Sequence, residues 1–185
     1  MDLEFLTPAR CAFLVVDIQE RLMAVIHEQE RVAKNAVLLI RAAKALEIPI
    51  VPTTQYAKGI GPLVPPVAAE LRDLTVTDKT EFGCFNNVAV RQRVGGLPAG
   101  IDTLILTGVE SHICVYQTAL GARQAGYRVW VIADAVSSRT PESHRLGLER
   151  MASLGVVIGS TEMLIYELLR QAGTPQFKAL LPFLK

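Results

Sequence analysis

The sequence lacks most of what would tie a chain to a membrane, a nucleic acid or an oxidising compartment. No apolar run approaches the roughly 20 residues that span a bilayer, so no membrane partner is expected. The net charge is +1, with no basic stripe or block of like charge, which argues against nucleic acid as a partner. There are only three cysteines, Cys11, Cys84 and Cys114, and three scattered histidines, His27, His112 and His144. Neither set has metal-ligand spacing, and an odd cysteine count argues against a disulfide framework, so no metal is expected and a reducing cytoplasm fits. Met1-Asp2-Leu3-Glu4 is acidic where a secretory leader is basic, so no leader is expected. Aromatics are scarce at 6% while half of the chain is hydrophobic, which suits an aliphatic parallel sheet covered by helices on both faces. A length of 185 residues suits one domain spanning residues 1–185, with a core large enough to fold unaided.

What is present alternates between strand and helix patterns, which predicts a parallel α/β sheet. Strands are expected at residues 11–17, 48–53, 74–77, 102–107, 127–133 and 155–158. Helices are expected at 31–46, where Val32, Ala36, Leu39, Ile40, Ala43 and Leu46 recur at helical spacing, and at 86–94, 113–125, 140–153 and 160–169. Thr140-Pro141-Glu142 has the form of a helix start, with a capping hydroxyl, proline at the first turn and an early acid. Residues 55–66, rich in Gly and Pro, read as a loop, and 175–184 as an apolar terminal segment. A three-layer αβα sandwich with a Rossmann-like six-stranded parallel sheet accommodates every segment. Ligands of such sheets bind beyond the carboxyl ends of the strands.

Three of those strand ends carry chemistry. Gly108-Val109-Glu110-Ser111-His112-Ile113-Cys114 leads from a buried strand into a helix. A cysteine at such a turn faces unpaired N–H groups, which favour a thiolate nucleophile. The plainer reading of Cys114 is a small core residue. Asp17 closes the first apolar run and reads either as a helix N-cap or as a general base. Lys79 follows the third strand, close to Phe82 and Phe85, and reads either as a surface charge or as an enclosed ammonium that keeps a carboxylate and a thiol ionised. Parallel topology would bring the three to one edge of the sheet, a set sufficient for acyl transfer to cysteine followed by hydrolysis.

This constellation resembles the isochorismatase-like cysteine hydrolase superfamily, which includes nicotinamidases, N-carbamoylsarcosine amidases and isochorismatases. The resemblance implies a catalytic triad of Asp17, Lys79 and Cys114. It also implies a cis peptide between Val109 and Glu110, and an oxyanion hole from the backbone N–H groups of Glu110 and Cys114. The similarity is strongest to the branch of isochorismatase domain-containing proteins. It is carried by Thr54-Gln55-Tyr56, Lys79-Thr80-Glu81-Phe82, Gly108-Val109-Glu110-Ser111, the segment 133–139 and Pro175-Gln176-Phe177-Lys178. The histidine metal motif of nicotinamidases is replaced here by Thr53-Thr54-Gln55-Tyr56, which again implies no zinc. Isochorismatases proper lack the cysteine, so its presence favours a C–N bond in a small amide, imide or carbamoyl compound over a vinyl ether.

Around the triad, Gln19, Gln55, Tyr56 and Phe82 are candidate substrate-binding residues; the first three also fit loop or cap roles, and Phe82 also fits the core. Cys84 and Trp130 read as packing and His112 as facing solvent or an interface. Asp134 either approaches the site or caps a loop, and Arg139 is available to a carboxylate. The leading expectation is a cysteine hydrolase that needs no cofactor and acts on a small-molecule substrate as a homo-oligomer, a dimer or tetramer. The competing expectations are a non-catalytic interaction scaffold, a vinyl ether hydrolase, and a redox role for Cys114 with Cys84.

Overall fold

Six strands, β1 (Cys11–Val16), β2 (Ile50–Gln55), β3 (Thr77–Lys79), β4 (Thr103–Val109), β5 (Arg128–Ser137) and β6 (Val157–Gly159), pair in the order β3-β2-β1-β4-β5-β6. Every pairing is parallel. The computed structural model describes residues 4–184. The helices are α1 (Glu20–Met23), α2 (Gln29–Ala45), α3 (Ala57–Ile60), α4 (Pro65–Glu70), α5 (Val88–Gly95), α6 (Tyr116–Gln124), α7 (Pro141–Ser153), α8 (Thr161–Leu169) and α9 (Pro175–Leu180). Among the described residues no helix is long and apolar enough to cross a membrane.

The layers follow from side-chain alternation along the central strands. Phe13 and Val15 of β1 pack into one core with α2, α4, α8 and α9, while Ala12, Leu14 and Val16 pack into a second core with α5, α6 and α7. A strand sandwiched in this way has no polar face, hence the unbroken apolar run. The αβα sandwich is as expected, and α2 buries Val32, Ala36, Leu39, Ile40 and Ala43 on one stripe. The Thr140 hydroxyl accepts from Ser143 N at the start of α7, and the Ser160 hydroxyl from Met163 N at the start of α8. Of the C-terminal segment, Leu180 is buried in the α2 layer and Phe183 lies 4.3 Å beneath the Arg41 guanidinium, so this segment packs on its own chain.

Several boundaries differ from the sequence pattern, each for a local reason. The third strand begins at Thr77 rather than Leu74, because Leu74 N–H still bonds Leu71 O in the turn that ends α4. Lys79 is consequently the last residue of β3, not a residue beyond it. The sixth strand begins at Val157 rather than Gly155: Gly155, with φ of 73°, terminates α7 in the left-handed conformation glycine tolerates. Residues 55–66 are not a continuous loop, since they contain α3 and the start of α4, and Gln55 belongs to β2. The fifth strand runs on to Ser137, because a register shift in β4 between Leu106 and Gly108 restores pairing of Gly108 with Val136 and Val109 with Ser137. The expected helix from Ile113 is a π-helical turn, Ser111–Val115, that leads into α6.

The chain winds outward from β1 to β3, returns, and winds outward again from β4 to β6. The reversal lies between β1 and β4, the crevice where open α/β sheets bind ligands. Gly108 closes that crevice. It pairs with Val16 at a φ of 122°, and a Cβ there would stand 1.9 Å from Val16 O. Only glycine lets the two backbones approach so closely. Gly108→Ala is therefore expected to lose about 3 kcal/mol or more of stability, measured by urea denaturation; a loss under about 1 kcal/mol would contradict this reading of the contact.

Candidate functional site

Asp17 follows β1 in a left-handed conformation (φ 53°), which turns its carboxylate back over the sheet edge, and it is fully buried. A lone carboxylate there would be prohibitively desolvated. Two donors reach it, one from β3 and one from the adjacent β2: Lys79 Nζ donates to Oδ2 at 2.6 Å, and Thr53 Oγ1 to Oδ1 at 2.8 Å. Lys79, also buried, donates further to Gln55 Oε1 (2.7 Å) and to the carbonyls of Glu81 (3.1 Å) and Phe82 (3.2 Å). Burial holds the Asp17 carboxyl above its ordinary value, against the opposing pull of Lys79, Thr53 and the Cys114 thiol.

The turn after β4 supplies the third group. The Val109–Glu110 peptide is cis. Glu110 O accepts the N–H groups of Ile113 and Val115, both at 3.1 Å, and passes over that of Cys114. The Cys114 thiol hydrogen-bonds Asp17, and the Glu110 N–H faces the sulfur. The site does not depress the thiol, contrary to the expectation of a resting thiolate. Burial, then the negative charge of Asp17, pushes it up to about 12, outweighing Lys79 and the Glu110 N–H. The reason is charge balance in a dry site. Lys79 and Asp17 already neutralise one another, so a thiolate would add an unmatched charge.

Of the candidate substrate-binding residues, two are fully committed to the protein. Gln19 Oε1 accepts from Gln55 N (2.6 Å), while its Nε2 donates to the carbonyls of Gln55 (3.1 Å) and Gly61 (2.7 Å). It fastens the 55–61 segment instead of orienting Asp17. Gln55 accepts from Lys79 and donates to Thr80 O (2.7 Å), so it positions the ammonium. Tyr56 and Phe82 stand at the surface, 50% and 55% exposed; Phe82 is no core aromatic, although its carbonyl reaches Lys79. Cys84 is packed beneath Thr53, its sulfur 3.9 Å from Oγ1, and burial pushes its thiol up to about 11. Asp134 does not approach the site: its Oδ1 accepts from Thr161 N and Oγ1 at 2.8 Å, capping α8. His112 Nδ1 lies 2.9 Å from Ser138 Oγ and is half-buried.

The isochorismatase domain family matches residues 11–163 of this chain. The chain belongs to the isochorismatase family. Isochorismatase domain-containing protein 2 of Pongo abelii is 33% identical over 180 residues, covering 96% of this chain and 84% of the relative. Among solved structures, one described as a MAR1 ribonuclease from Caenorhabditis elegans is 29% identical. It superposes with a TM-score of 0.89 over 97% of this chain and 92% of its own. The YcaC gene product of Escherichia coli, described as an octameric hydrolase of unknown specificity, is 25% identical with a TM-score of 0.91, covering 99% and 92% respectively.

Within this isochorismatase-family site, two features escaped the sequence pattern, and for a third it left the partner open. Thr53 bonds Asp17, and its only signal was a hydroxyl near the end of an otherwise apolar strand. Ser111, fully buried, lies 2.9 Å from His144 Nδ1, a contact between residues 33 apart. Glu110 accepts both the backbone N–H (3.0 Å) and Nε (3.1 Å) of Arg139, giving that arginine the carboxylate its sequence position left open. Among the described residues no group of three or more His, Cys, Asp or Glu is placed to hold a metal ion.

Lys79→Met would strip Asp17 of its counterion and push its carboxyl further up. The folded-state pKa being raised, the deficit relative to wild type is full above that pKa and shrinks as pH falls through it, because protonation discharges the orphaned carboxylate. The expected loss is about 3 kcal/mol at pH 8 and clearly smaller at pH 5.5, read by denaturant unfolding at both pH values. A pH-independent deficit would contradict it.

Proposed function

We propose that this isochorismatase-family protein is a cysteine hydrolase that cleaves the C–N bond of a small amide, imide or carbamoyl compound through a thioester on Cys114. What supports this reading is one juxtaposition: the Asp17 carboxylate is contacted both by the Lys79 ammonium and by the Cys114 thiol, with a backbone N–H aimed at the sulfur. Because the resting thiol is protonated, nucleophile activation and attack are one event. Asp17 takes the thiol proton as sulfur bonds the carbonyl carbon. The carbonyl electrons move to oxygen, where the N–H groups of Glu110 and Cys114 receive them. Collapse expels the amine, which takes the proton from Asp17. Water, deprotonated by Asp17, then attacks the thioester; the acid leaves and the proton returns to sulfur. Lys79 holds the carboxylate in place throughout, and the steps require no cofactor.

Tyr56 and Phe82 would form the aromatic rim against which a substrate lies. The octameric E. coli neighbour supports assembly with further copies of this chain, which would complete the walls of the pocket. The ribonuclease description of the nematode neighbour is not carried over. A net charge of +1 with both signs interspersed offers little attraction to a polyanion, and the thiol lies buried at the strand ends.

The test is a panel of small primary amides, imides and N-carbamoyl compounds assayed by release of ammonia or amine, with acid quenching and intact-mass measurement. An acyl adduct on Cys114 is expected. Cys114→Ala should lose detectable turnover, and Asp17→Asn about 10²-fold or more in kcat. Wild-type activity should fall as pH drops through the raised pKa of Asp17, since the protonated acid cannot accept the thiol proton. Full activity in Cys114→Ala would overturn the mechanism.

A further inference from the structure

The turn that carries Cys114 is gripped from outside the site by α7. The Ser111 hydroxyl, wholly buried, meets Nδ1 of His144 at 2.9 Å. Three residues on, and therefore on the same helix face, Gly147 lays its bare Cα against the same segment. A Cβ there would stand 2.9 Å from His112 N and from Ser111 C. The turn answers as one unit, because Glu110 O ties both Ile113 N and Val115 N. That unit carries the two groups on which the proposed chemistry depends, the Cys114 thiol and the Glu110 N–H that faces it.

Beyond Ser111, the charged and titratable groups that act on His144 are Arg31, His27 and Glu28, where the chain enters α2. Burial first, then Arg31 and His27, against Glu28, hold the imidazole below its ordinary pKa. It is accordingly neutral at physiological pH, with one ring nitrogen free to accept.

We propose that Ser111 and His144 are positioning residues, their hydrogen bond fixing the nucleophile turn relative to Asp17 so that the thiol and the Glu110 N–H stay aligned. This inference rests on the cysteine hydrolase reading. Displacing a reacting group by about 1 Å costs up to a hundredfold in rate. Neither residue touches the reacting atoms, so the effect is indirect.

The experiment is a double-mutant cycle on the full chain with Cys114 intact, using the best amide from the panel. Ser111→Ala and His144→Ala are each expected to lower kcat about tenfold with KM changed by less than about twofold. The double variant is expected to be no slower than the slower single one, as the two act through one bond. His144→Asn, whose side-chain oxygen falls near the position of Nδ1, should recover most of the loss, a rescue that a merely space-filling role would not give. Unchanged kcat in either single variant, additive losses, or no recovery in His144→Asn would overturn the proposal. If the wild type cleaves no amide, the hydrolase reading has failed. The strut is then judged on iodoacetamide alkylation of Cys114 alone: an equal slowing of about tenfold in both single variants and the double supports it, and unchanged rates overturn it.

Discussion

The ion pair between Asp17 and Lys79 sets the terms for the rest of the site, because both groups are withdrawn from water. Desolvating two charges costs more than their attraction returns unless the surrounding lone pairs and protons are also satisfied. Here they are. The ammonium meets four oxygens, and the carboxylate takes a hydroxyl and a thiol besides the ammonium. That saturation depends on register. Gln55 stands opposite Lys79 in the β2–β3 pairing, so its side chain reaches the ammonium from the adjacent strand. Gln19, two residues after Asp17, fastens the backbone of Gln55 with a pair of hydrogen bonds. A slip of one residue in β3 would send the lysine to the opposite face of the sheet and leave Asp17 buried and unpaired.

The same pair explains why the sulfur rests as a thiol. Ammonium and carboxylate cancel, and a thiolate would bring a second negative charge into a site with one cation. The proton transfer from sulfur to Asp17 that we propose would avoid this, since it moves a negative charge without adding one. The raised carboxyl makes Asp17 a stronger base than a solvated carboxylate, which in the proposed mechanism would suit it to accept that proton as the sulfur begins to share its electrons with a carbonyl carbon. Helix-terminus stabilisation of a thiolate, the argument from the turn alone, loses here to burial and to the neighbouring carboxylate. The residue also lies inside a π-helical turn rather than at a free helix end.

What was legible in the sequence is what local pattern encodes. Uninterrupted apolar runs marked β1 and β4, helical spacing marked α2, and a hydroxyl followed by proline and acid marked the start of α7. The convergence of Asp17, Lys79 and Cys114 was legible because each sits at a strand end or in the turn just beyond one, which parallel topology sends to one edge. The misplacements have a common physical origin. Leu74 and Val76 pack as a strand would, but the turn after α4 holds the backbone hydrogen bonds until Thr77. Gly155 has no side chain by which to announce that it ends a helix instead of beginning a strand. For Gln19 and Gln55 the sequence left a substrate contact and a loop role both open, because an amide beside a reactive group shows its partners only in the fold, where each is bonded within the chain. Thr53, and the Ser111–His144 contact, join residues far apart in sequence, and no periodicity reports such a pair.

Committed amides and a saturated ion pair have a consequence for selectivity. Every polar side-chain atom of Gln19, Gln55 and Lys79 is already spent on the protein, so these residues have little polar capacity left for a ligand. In the proposed hydrolase, discrimination would fall to exposed side chains: Tyr56 on the segment that Gln19 fastens, Phe82 on the segment that Lys79 fastens, and Arg139, which Glu110 anchors through its backbone and Nε. These residues are held at their bases and exposed at their tips. On the proposed reading, substitution at such positions would alter what is bound without disturbing the buried charges. An interior that cannot change without leaving a charge unpaired, under a rim that can, would keep the proposed reaction centre fixed while the compound it takes varies.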